Sequence, residues 1–520
     1  MIETEKCTCT VVAGGEKMKR LSSIILVVVL LFNTLPSIGF AEKKDDLKTD
    51  MIYRVLVDRF FDGNPRNDKD TDPNDLNKSQ GGDLEGITKK LDYLKDYGYT
   101  AISISPIFEN DINSYDGFSV TNFKKIDQRF GTMKDLQKLI KEAHKRDLKI
   151  YLDFVVNNSS PNGEFAKNKD YANWFNSKDS TSFEQKWING LPDFNQNNEE
   201  VQKYFIDLGK WWMSQADIDG YNLQEVNHVP TSFWESFNKE MKKQNPDFEL
   251  IADLSQQGDQ DMKKYQNVGF DGITDLPLVN KLVNTFASQN QALKELYNYQ
   301  NDMSNQLNST SLVNYVDDEM TERFVSIAQK RGEYPPSRLK LALVYLFSTP
   351  GTPLNYYGTE IALNGGKIPD NRKGMDFRSD EDFSNYIKNL TELRSTLPSL
   401  TKGDSKLLYD KKGMTLFKRT FKNETTIIAI NNTSYDHKVH LDFDVVNKNK
   451  ELRGLLNDDL VRPSKGGFDI VLKRESSNIY AVAPKSGLNI GVIIAIPSIF
   501  IGFIIFLWFA SRRQRKMNDK

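Results

Sequence analysis

The sequence is short of the features that hold a chain together covalently or attract a partner by charge. Only two of its 520 residues are cysteines, Cys7 and Cys9, and both precede a second methionine, Met18, where a signal-peptide pattern begins. The mature protein would therefore contain no cysteine pair for a disulfide. Lysine and arginine number 69 against 71 aspartate and glutamate, a net charge of −2, which provides no overall field to gather nucleic acid.

Long hydrophobic runs occur only near the two ends, which excludes a polytopic membrane protein. Met18-Lys19-Arg20 precedes the apolar run from Leu21 to Phe32, and Gly39-Phe40-Ala41 provides small residues for cleavage. We therefore predict that residues 1–41 contain a signal peptide. Gly14-Gly15-Glu16-Lys17 can be encoded by a purine-rich ribosome-binding site, so we also predict that translation starts at Met18.

The second hydrophobic run, Leu488 to Ala510, carries no charged residue and is long enough to span ~30 Å of hydrocarbon as a helix. Arg512, Arg513, Arg515 and Lys516 follow it as a positive flank. The pattern predicts a single-pass transmembrane helix over 488–510, a short cytoplasmic tail over 511–520, and an extracellular body held at the cell membrane. A buried core helix is the alternative, although such helices are rarely so uniformly apolar.

The region between these runs alternates short apolar strands with amphipathic helices, as a parallel β/α fold requires. Met133 to Arg146 has the helical spacing, and Lys149 to Val156 is the strand that follows it. Asn157 to Phe194 interrupts the rhythm with serine, asparagine, lysine and glycine. Beyond about Thr401 the pattern changes to alternating strands, which predicts a small antiparallel β domain ending near Ala483.

Several motifs in their expected order give this chain a resemblance to the alpha-amylase family, glycoside hydrolase family 13, from about Met51 to Ala483. In style it is most similar to secreted bacillary amylases and cyclodextrin glycosyltransferases. The motifs are Ile52 to Phe60, Gly81 to Ile87, Phe130-Gly131-Thr132, Leu191 to Asn195 and Pro350 to Glu360.

The resemblance implies an α/β fold, a (β/α)8 TIM barrel over 50–400 with an inserted domain B at about 157–195. A C-terminal antiparallel β-sandwich, domain C, would occupy 401–483. On such a barrel the functional groups lie at the C-terminal ends of the strands.

The family's retaining chemistry needs two carboxylates about 5 Å apart, one as nucleophile and one as acid/base. At the matching positions this sequence departs from the family. Gln224 stands in place of the nucleophilic aspartate, Asp253 in place of the glutamate acid/base, and Met320 in place of a third, stabilising carboxylate. A neutral amide is not a competent glycosyl nucleophile. Glu225 is expected not to replace Gln224, because neighbouring strand residues point to opposite sides.

The resemblance also locates the groups that would contact sugar. Arg372 matches a family residue at the substrate cleft, and Tyr115 could stack on a sugar ring. Other family donors are replaced: Asn222 stands in place of an arginine, and Asp116, Asn158 and Glu319 hold the places of histidines.

The metal ligands implied by the resemblance are retained, and we expect structural Ca²⁺. Asn157, Asp193 and His228, the last through its main-chain oxygen, match a calcium site between the barrel and domain B. A second set resembles a calcium loop of some bacterial members: Asp62, Asn64, Asn67, Asp68, Gly81 and Asp83. A solvated loop rich in aspartate and asparagine is the alternative for either segment.

Three hypotheses follow for function. The leading one is a membrane-anchored pseudoglycosidase whose cleft binds an α-glucan, another glycan or a protein partner without cleaving it. The second is an active or altered α-glucan hydrolase or transglycosidase in which Asp253, Asp317 or Asp318 takes a new role. The third is a structural subunit of a cell-envelope complex.

Overall fold

The computed structural model describes residues 47–255, 262–307, 310–378, 380–485 and 497–508. The predicted signal peptide, the predicted start at Met18 and the tail at 511–520 lie outside these residues, as does part of the predicted membrane helix.

Eight parallel strands close into a barrel in the order β1-β10-β9-β8-β7-β6-β5-β2, which confirms the predicted architecture. The strands are β1 (Ile52–Val55), β2 (Ala101–Ile104), β5 (Lys149–Phe154), β6 (Gly220–Leu223), β7 (Glu249–Ala252), β8 (Gly272–Thr274), β9 (Ser311–Asn314) and β10 (Thr352–Tyr356). Nearly every strand residue is buried, because one face fills the barrel and the other packs under helices.

Helices connect and surround these strands. Their bounds are Val57–Phe60, Leu84–Lys89, Leu91–Asp96, Met133–His144, Glu199–Gln215, Thr231–Gln244, Leu276–Phe286, Lys294–Gln306, Phe324–Lys330, Pro335–Ser348, Glu381–Thr396 and Pro398–Lys402. Met133–His144 shows how the sequence specifies them, since its apolar face is buried and Thr132 and Asp135 form a capping box at its start. It ends two positions before the predicted Arg146.

The predicted domain B excursion follows β5 as a long irregular segment. It contains the 3-10 helices Lys169–Trp174 and Phe183–Gln185, and it returns to the barrel through a bridge between Asn158 and Asp193. A short antiparallel pair after β2, formed by β3 (Phe108–Asn110) and β4 (Val120–Ile126), lies beside it, because Ser160 donates its N–H to the Val120 carbonyl. Both excursions stand at the C-terminal end of the barrel.

The C-terminal domain is antiparallel, as predicted. A six-stranded sheet has the order β11-β12-β13-β18-β15-β16, and β14 pairs with β17. The strands are β11 (Asp404–Lys411), β12 (Met414–Phe421), β13 (Glu424–Asn431), β14 (His437–Asp442), β15 (Lys450–Gly454), β16 (Leu460–Val461), β17 (Gly467–Leu472) and β18 (Ser476–Pro484). Arg419 of β12 joins this domain to the barrel by donating to the Ser348 carbonyl at the end of helix Pro335–Ser348.

Residues 497–508 are helical, and their apolar side chains are exposed. Among the helices that can be described, none combines the length and the apolar character required to cross a bilayer. The predicted span over 488–510 includes residues on both sides of this helix that lie outside the described ranges, so it stays a prediction.

Candidate functional site

A cleft of about 520 Å³ opens at the C-terminal ends of the barrel strands. Its lining brings together every predicted catalytic or sugar-contacting residue except Tyr115, namely Asp116, Asn158, Asn222, Gln224, Asp253, Glu319, Met320 and Arg372. The strands place them there because each residue lies at or just beyond the end of its strand, where side chains face the barrel mouth.

A buried arginine that the sequence analysis did not single out forms the floor of the cleft. The Arg54 guanidinium, from β1, pairs with Asp153 of β5 through Nη1 at 2.6 Å and Nη2 at 2.7 Å. It also donates to both carboxylate oxygens of Glu319, with Nε at 3.2 Å from Oε2. Burial raises the pKa of Asp153 to about 6 although Arg54 opposes that rise, whereas Arg54 outweighs burial at Glu319 and lowers its pKa. Both carboxylates are therefore anions near neutral pH.

The two amides on β6 and just after it turn toward the same aspartate. Asn222 Nδ2 lies 3.0 Å from Asp153 Oδ1, and Gln224 Nε2 lies 3.1 Å from Asp153 Oδ2. A carboxylate paired with arginine can only accept, so these contacts fix the nitrogen of each amide on the Asp153 side. Gln224, at the position where the resemblance places the nucleophile, is thus a donor to Asp153.

Asp253 follows β7 beside Gln224, because its N–H donates to the carbonyl of Leu223 at 2.8 Å. Its carboxylate accepts a hydrogen bond from the Thr274 hydroxyl at 3.0 Å. Burial raises its pKa to about 7, and Arg54 offsets only part of that rise. Asp253 can therefore carry a proton near neutral pH, as a general acid must.

The segment after β9 places a second carboxylate beside Glu319. Asp318 accepts from the N–H groups of Met320 at 2.8 Å and Thr321 at 2.5 Å. Burial, followed by the charge of Glu319, raises the pKa of Asp318 to about 6. The Met320 side chain is 47% exposed at the cleft, where it offers a thioether and no charge.

The expectation that Glu225 points away from the cleft is wrong. β6 ends at Leu223, and Glu225 has a left-handed backbone with φ of 52°, so the alternation of strand side chains no longer applies. The carboxylate lines the cleft and accepts from Asn157 Nδ2 at 3.3 Å and Asn158 Nδ2 at 3.5 Å. Burial raises its pKa to about 7.

Arg372 closes one side of the cleft. Its Nη1 pairs with Asp116 at 3.0 Å, and its Nε donates to the Glu319 carbonyl at 2.9 Å. Tyr115 lies behind this pair, 9% exposed, with the Arg59 guanidinium 3.9 Å from the centre of its ring. That face of Tyr115 is covered by protein, so the structure does not present it to the cleft as a stacking platform.

The predicted calcium ligands next to domain B bring unpaired oxygens together. Asn157 Oδ1 and Asp193 Oδ1 are buried without a hydrogen-bond donor, and Phe194 N–H ties the two segments by donating to the Asn157 carbonyl at 2.8 Å. Burial and then the charge of Glu225 raise the pKa of Asp193 to about 8. The His228 ring packs against Phe183, and burial lowers its pKa to about 4, which leaves it neutral.

The predicted calcium loop fits in part. Asn67 Oδ1 and Asp68 Oδ1 are buried without donors, and burial together with Asp62 and Asp83 raises the pKa of Asp68 to about 6. Asp83 differs from the expectation. Its carboxylate accepts from the N–H groups of Gly63, Asn64 and Gly86 and caps helix Leu84–Lys89, so its side chain already has a structural role.

No group of three or more His, Cys, Asp or Glu side chains in the described residues is placed to hold a metal. Each calcium site would therefore depend on amide and main-chain oxygens, which Ca²⁺ accepts readily.

Two cleft residues could have been found from the sequence. Arg54 is an arginine within the apolar strand Ile52-Tyr53-Arg54-Val55, and a charge in a buried strand requires a partner. Glu225 is the carboxylate next to Gln224, but its orientation depends on where β6 ends, a boundary that sequence patterns place only to within a few residues.

Comparison with known proteins gives matches over most of the chain. The family described as "Alpha amylase, catalytic domain" matches residues 54–398, and the one described as "Alpha-amylase C-terminal domain" matches residues 403–480. Maltogenic alpha-amylase of Bacillus acidopullulyticus is 29% identical over 437 residues, which are 76% of this chain and 72% of that protein. Cyclomaltodextrin glucanotransferase of Niallia circulans is 30% identical over 75% of this chain and 60% of that protein.

Solved structures also match most of this chain. An Anoxybacillus alpha-amylase is 44% identical with a TM-score of 0.82, and the match covers 85% of this chain and all of that one, 100%. An alpha-amylase from Geobacillus thermoleovorans, solved in complex with acarbose, is 42% identical with a TM-score of 0.80 over 85% of this chain and 100% of the other.

Proposed function

The chain belongs to the alpha-amylase family of glycoside hydrolases, and from this we propose that its barrel cleft binds a saccharide chain without following the family's usual hydrolytic route. The relatives support the ligand class, since the 42% identical alpha-amylase was solved in complex with acarbose. The cleft supports it as well, because 520 Å³ is room for a few sugar rings.

The proposal that the cleft does not follow the family's hydrolytic route rests on Gln224, its charge and its hydrogen bond. A retaining glycosidase forms a covalent bond between a carboxylate oxygen and the sugar, and a second carboxyl group protonates the leaving oxygen. Gln224 is neutral and its amide nitrogen is bound to Asp153. Asp253 can supply a proton, but a proton donor without a nucleophile on the opposite side completes only half of the reaction.

An altered hydrolase is the second candidate, and the comparisons favour it because the named relatives are amylases, cyclomaltodextrinases and glucanotransferases. One observation at the site also favours it. Glu225, Asp253 and Asp318 all line the cleft, so carboxylates are present although they are displaced from the family positions. A pair of them could act through an inverting geometry, in which one carboxylate activates water.

The test is reducing-sugar release from soluble starch, maltooligosaccharides and pullulan by the purified chain with calcium, alongside maltooligosaccharide binding measured by calorimetry. The triple variant Gln224→Asp, Asp253→Glu, Met320→Asp is the positive comparison, and Asp253→Asn the negative one. Binding without release supports the proposal. Release that Asp253→Asn abolishes would establish the altered hydrolase, and absence of both binding and release would refute both candidates.

For the metal, we propose that Asn157, Asp193 and the main-chain oxygen of His228 hold one Ca²⁺, and that Asp62, Asn64, Asn67, Asp68 and Gly81 hold another. The support is the set of buried oxygens without donors described above. Bound Ca²⁺ would supply the positive charge that the buried Asp193 carboxylate lacks, and so fix domain B against the barrel.

For location, we propose that the chain is exported and anchored by its C-terminal apolar run, with the barrel outside the cell. The support is the run itself and the positive residues that follow it. Fractionation of cells carrying the full chain or a chain ending at Lys485 tests this. Only the full chain should stay with washed membranes, and equal release of both would refute the anchor.

A further inference from the structure

The cleft floor contains hydrogen-bond acceptors whose donors are missing. Arg54 has five N–H groups, and all five are taken by Asp153, Glu319 and Ser103. It therefore has no N–H left for a ligand. Arg54 lies at the centre of the floor, but its hydrogen bonds are all made to other groups of the protein.

The two amides on the floor present oxygen to the cleft. Because the nitrogens of Asn222 and Gln224 are bound to Asp153, their carbonyl oxygens face away from it. These residues are 3% and 5% exposed, and their oxygens, which are reached from the cleft, accept no hydrogen bond found among the described residues. Asn158, on the wall, is 3% exposed, and its Oδ1 is buried without a donor. One buried and two cleft-facing amide oxygens thus have no donor from the described protein.

The carboxylates beside these amides lack a cation. Asp253 receives the Thr274 hydroxyl, and Asp318 receives two backbone N–H groups and the Tyr315 hydroxyl. No lysine or arginine of the described chain lies within ion-pair distance of either carboxylate, whereas Asp153, Glu319 and Asp116 each have an arginine. Arg372 is already bound to Asp116 and to the Glu319 carbonyl.

We propose that the preferred ligand of this cleft is a saccharide that carries protonated amino groups, with an ammonium bound among Asp253, Asn222 and Gln224. An ammonium has three donors and a positive charge, so it can satisfy several of these acceptors and the Asp253 carboxylate at once, whereas a sugar hydroxyl has one donor and no charge. This inference rests on the proposed function, because it names the class of saccharide that the cleft takes.

One observation favours an amino sugar over a bare cation. Part of the remaining lining of the cleft is apolar, with Phe118, Leu254 and Ile368 among the residues that a sugar ring could cover. A saccharide that carries amines would cover the apolar residues with its rings and would donate hydrogen bonds from its ammonium groups to the acceptors.

The test compares three tetrasaccharides by calorimetry on the full chain at pH 7.5: maltotetraose, maltotetraose with every 6-hydroxyl replaced by an amine, and the N-acetylated form of that amine. We expect the amine to bind ten to a hundred times more tightly than the other two, as charged hydrogen bonds in a partly dry site allow. Spermidine serves as the cation without sugar rings.

Two variants test whether the stronger binding of the amine depends on Asp253. Asp253→Asn should remove most of the advantage of the amine over maltotetraose, and the control Asp247→Asn, an exposed carboxylate outside the cleft, should leave it intact. Equal binding of all three tetrasaccharides would overturn this inference and leave the proposed function standing. Spermidine binding as tightly as the amine would also overturn it, and binding of none of the saccharides would refute the proposed function itself.

Discussion

Buried carboxylates at the two ends of the barrel have different partners. At the N-terminal end, Asp50 and Glu249 share the Lys149 ammonium at 2.8 and 3.1 Å, and both accept from the Tyr151 hydroxyl. At the mouth, Asp253 has a threonine hydroxyl and no cation. Burial raises the pKa of Glu249 and of Asp253 to about 7 in each case.

The difference teaches which charges serve the fold. Asp50 and Glu249 lie beside a cation of their own protein, which offsets part of the cost of burying them and links β5 to β7. A carboxylate buried without one costs stability, and stable folds retain such groups mainly where a ligand or a reaction uses them. The closed end of the barrel therefore fits a structural role, and the mouth is the end at which we propose that a ligand binds.

The largest expected effect is at Arg54, because there the mouth pairs buried carboxylates with a cation, as the closed end does. Arg54→Met should destabilise the protein by about 4 kcal/mol, because it leaves Asp153 and Glu319 buried without a cation. Urea unfolding followed by circular dichroism measures this. The control Arg378→Met removes an exposed arginine and should change stability by less than about 0.5 kcal/mol. A small effect of Arg54→Met would mean that the floor is not held by charge.

Lys149→Met tests the closed end in the same way. We expect a loss of about 3 kcal/mol, somewhat less than for Arg54 because the Lys149 side chain retains 18% exposure and Tyr151 still donates to both carboxylates. The same unfolding measurement applies, with the exposed Lys145→Met as its control. A loss no larger than that of Lys145→Met would remove the contrast between the two ends.

The buried oxygens beside domain B are a third case, because bound Ca²⁺ rather than a cation of the protein would pair with them. At a hundred times the dissociation constant of this site, Ca²⁺ bound beside domain B should stabilise the chain by about 2.7 kcal/mol relative to chelator, in addition to any contribution from the loop site, and raise the unfolding temperature accordingly. Asn157→Ala with Asp193→Asn should reduce that shift. If the full shift persists in the double variant, the metal binds elsewhere, with the loop at Asp62 to Asp68 as the next place to test.

The barrel and the positions that line its cleft could be predicted from the sequence, whereas the contrast between the two ends could not, for a physical reason. Motif order predicted the barrel, and the positions of Gln224, Asp253 and Met320 predicted a cleft that differs from the family's. Arg54 was missed because its importance depends on partners from β5 and from the loop after β9, which only the closed barrel brings together. Glu225 was misjudged because one left-handed residue after β6 reverses the direction that alternation predicts.

The smallest expected effect has the opposite sign. The pKa of Asp253 rises from an ordinary value of 3.8 to about 7, so the folded state holds its proton more tightly than the unfolded state does. Stability is thus fully present below pH 4 and falls as pH rises to about 7, where Asp253 ionises near Arg54, Asp153, Asp318 and Glu319. Asp253→Asn avoids that cost and should be about 1 kcal/mol more stable than the natural protein at pH 8, after allowance for screening in an open cleft. At pH 4 the two should unfold at the same urea concentration, as Asp247→Asn should at both values. A natural protein more stable than Asp253→Asn at pH 8 would show that Asp253 has a cation partner after all, and the mouth would then resemble the closed end.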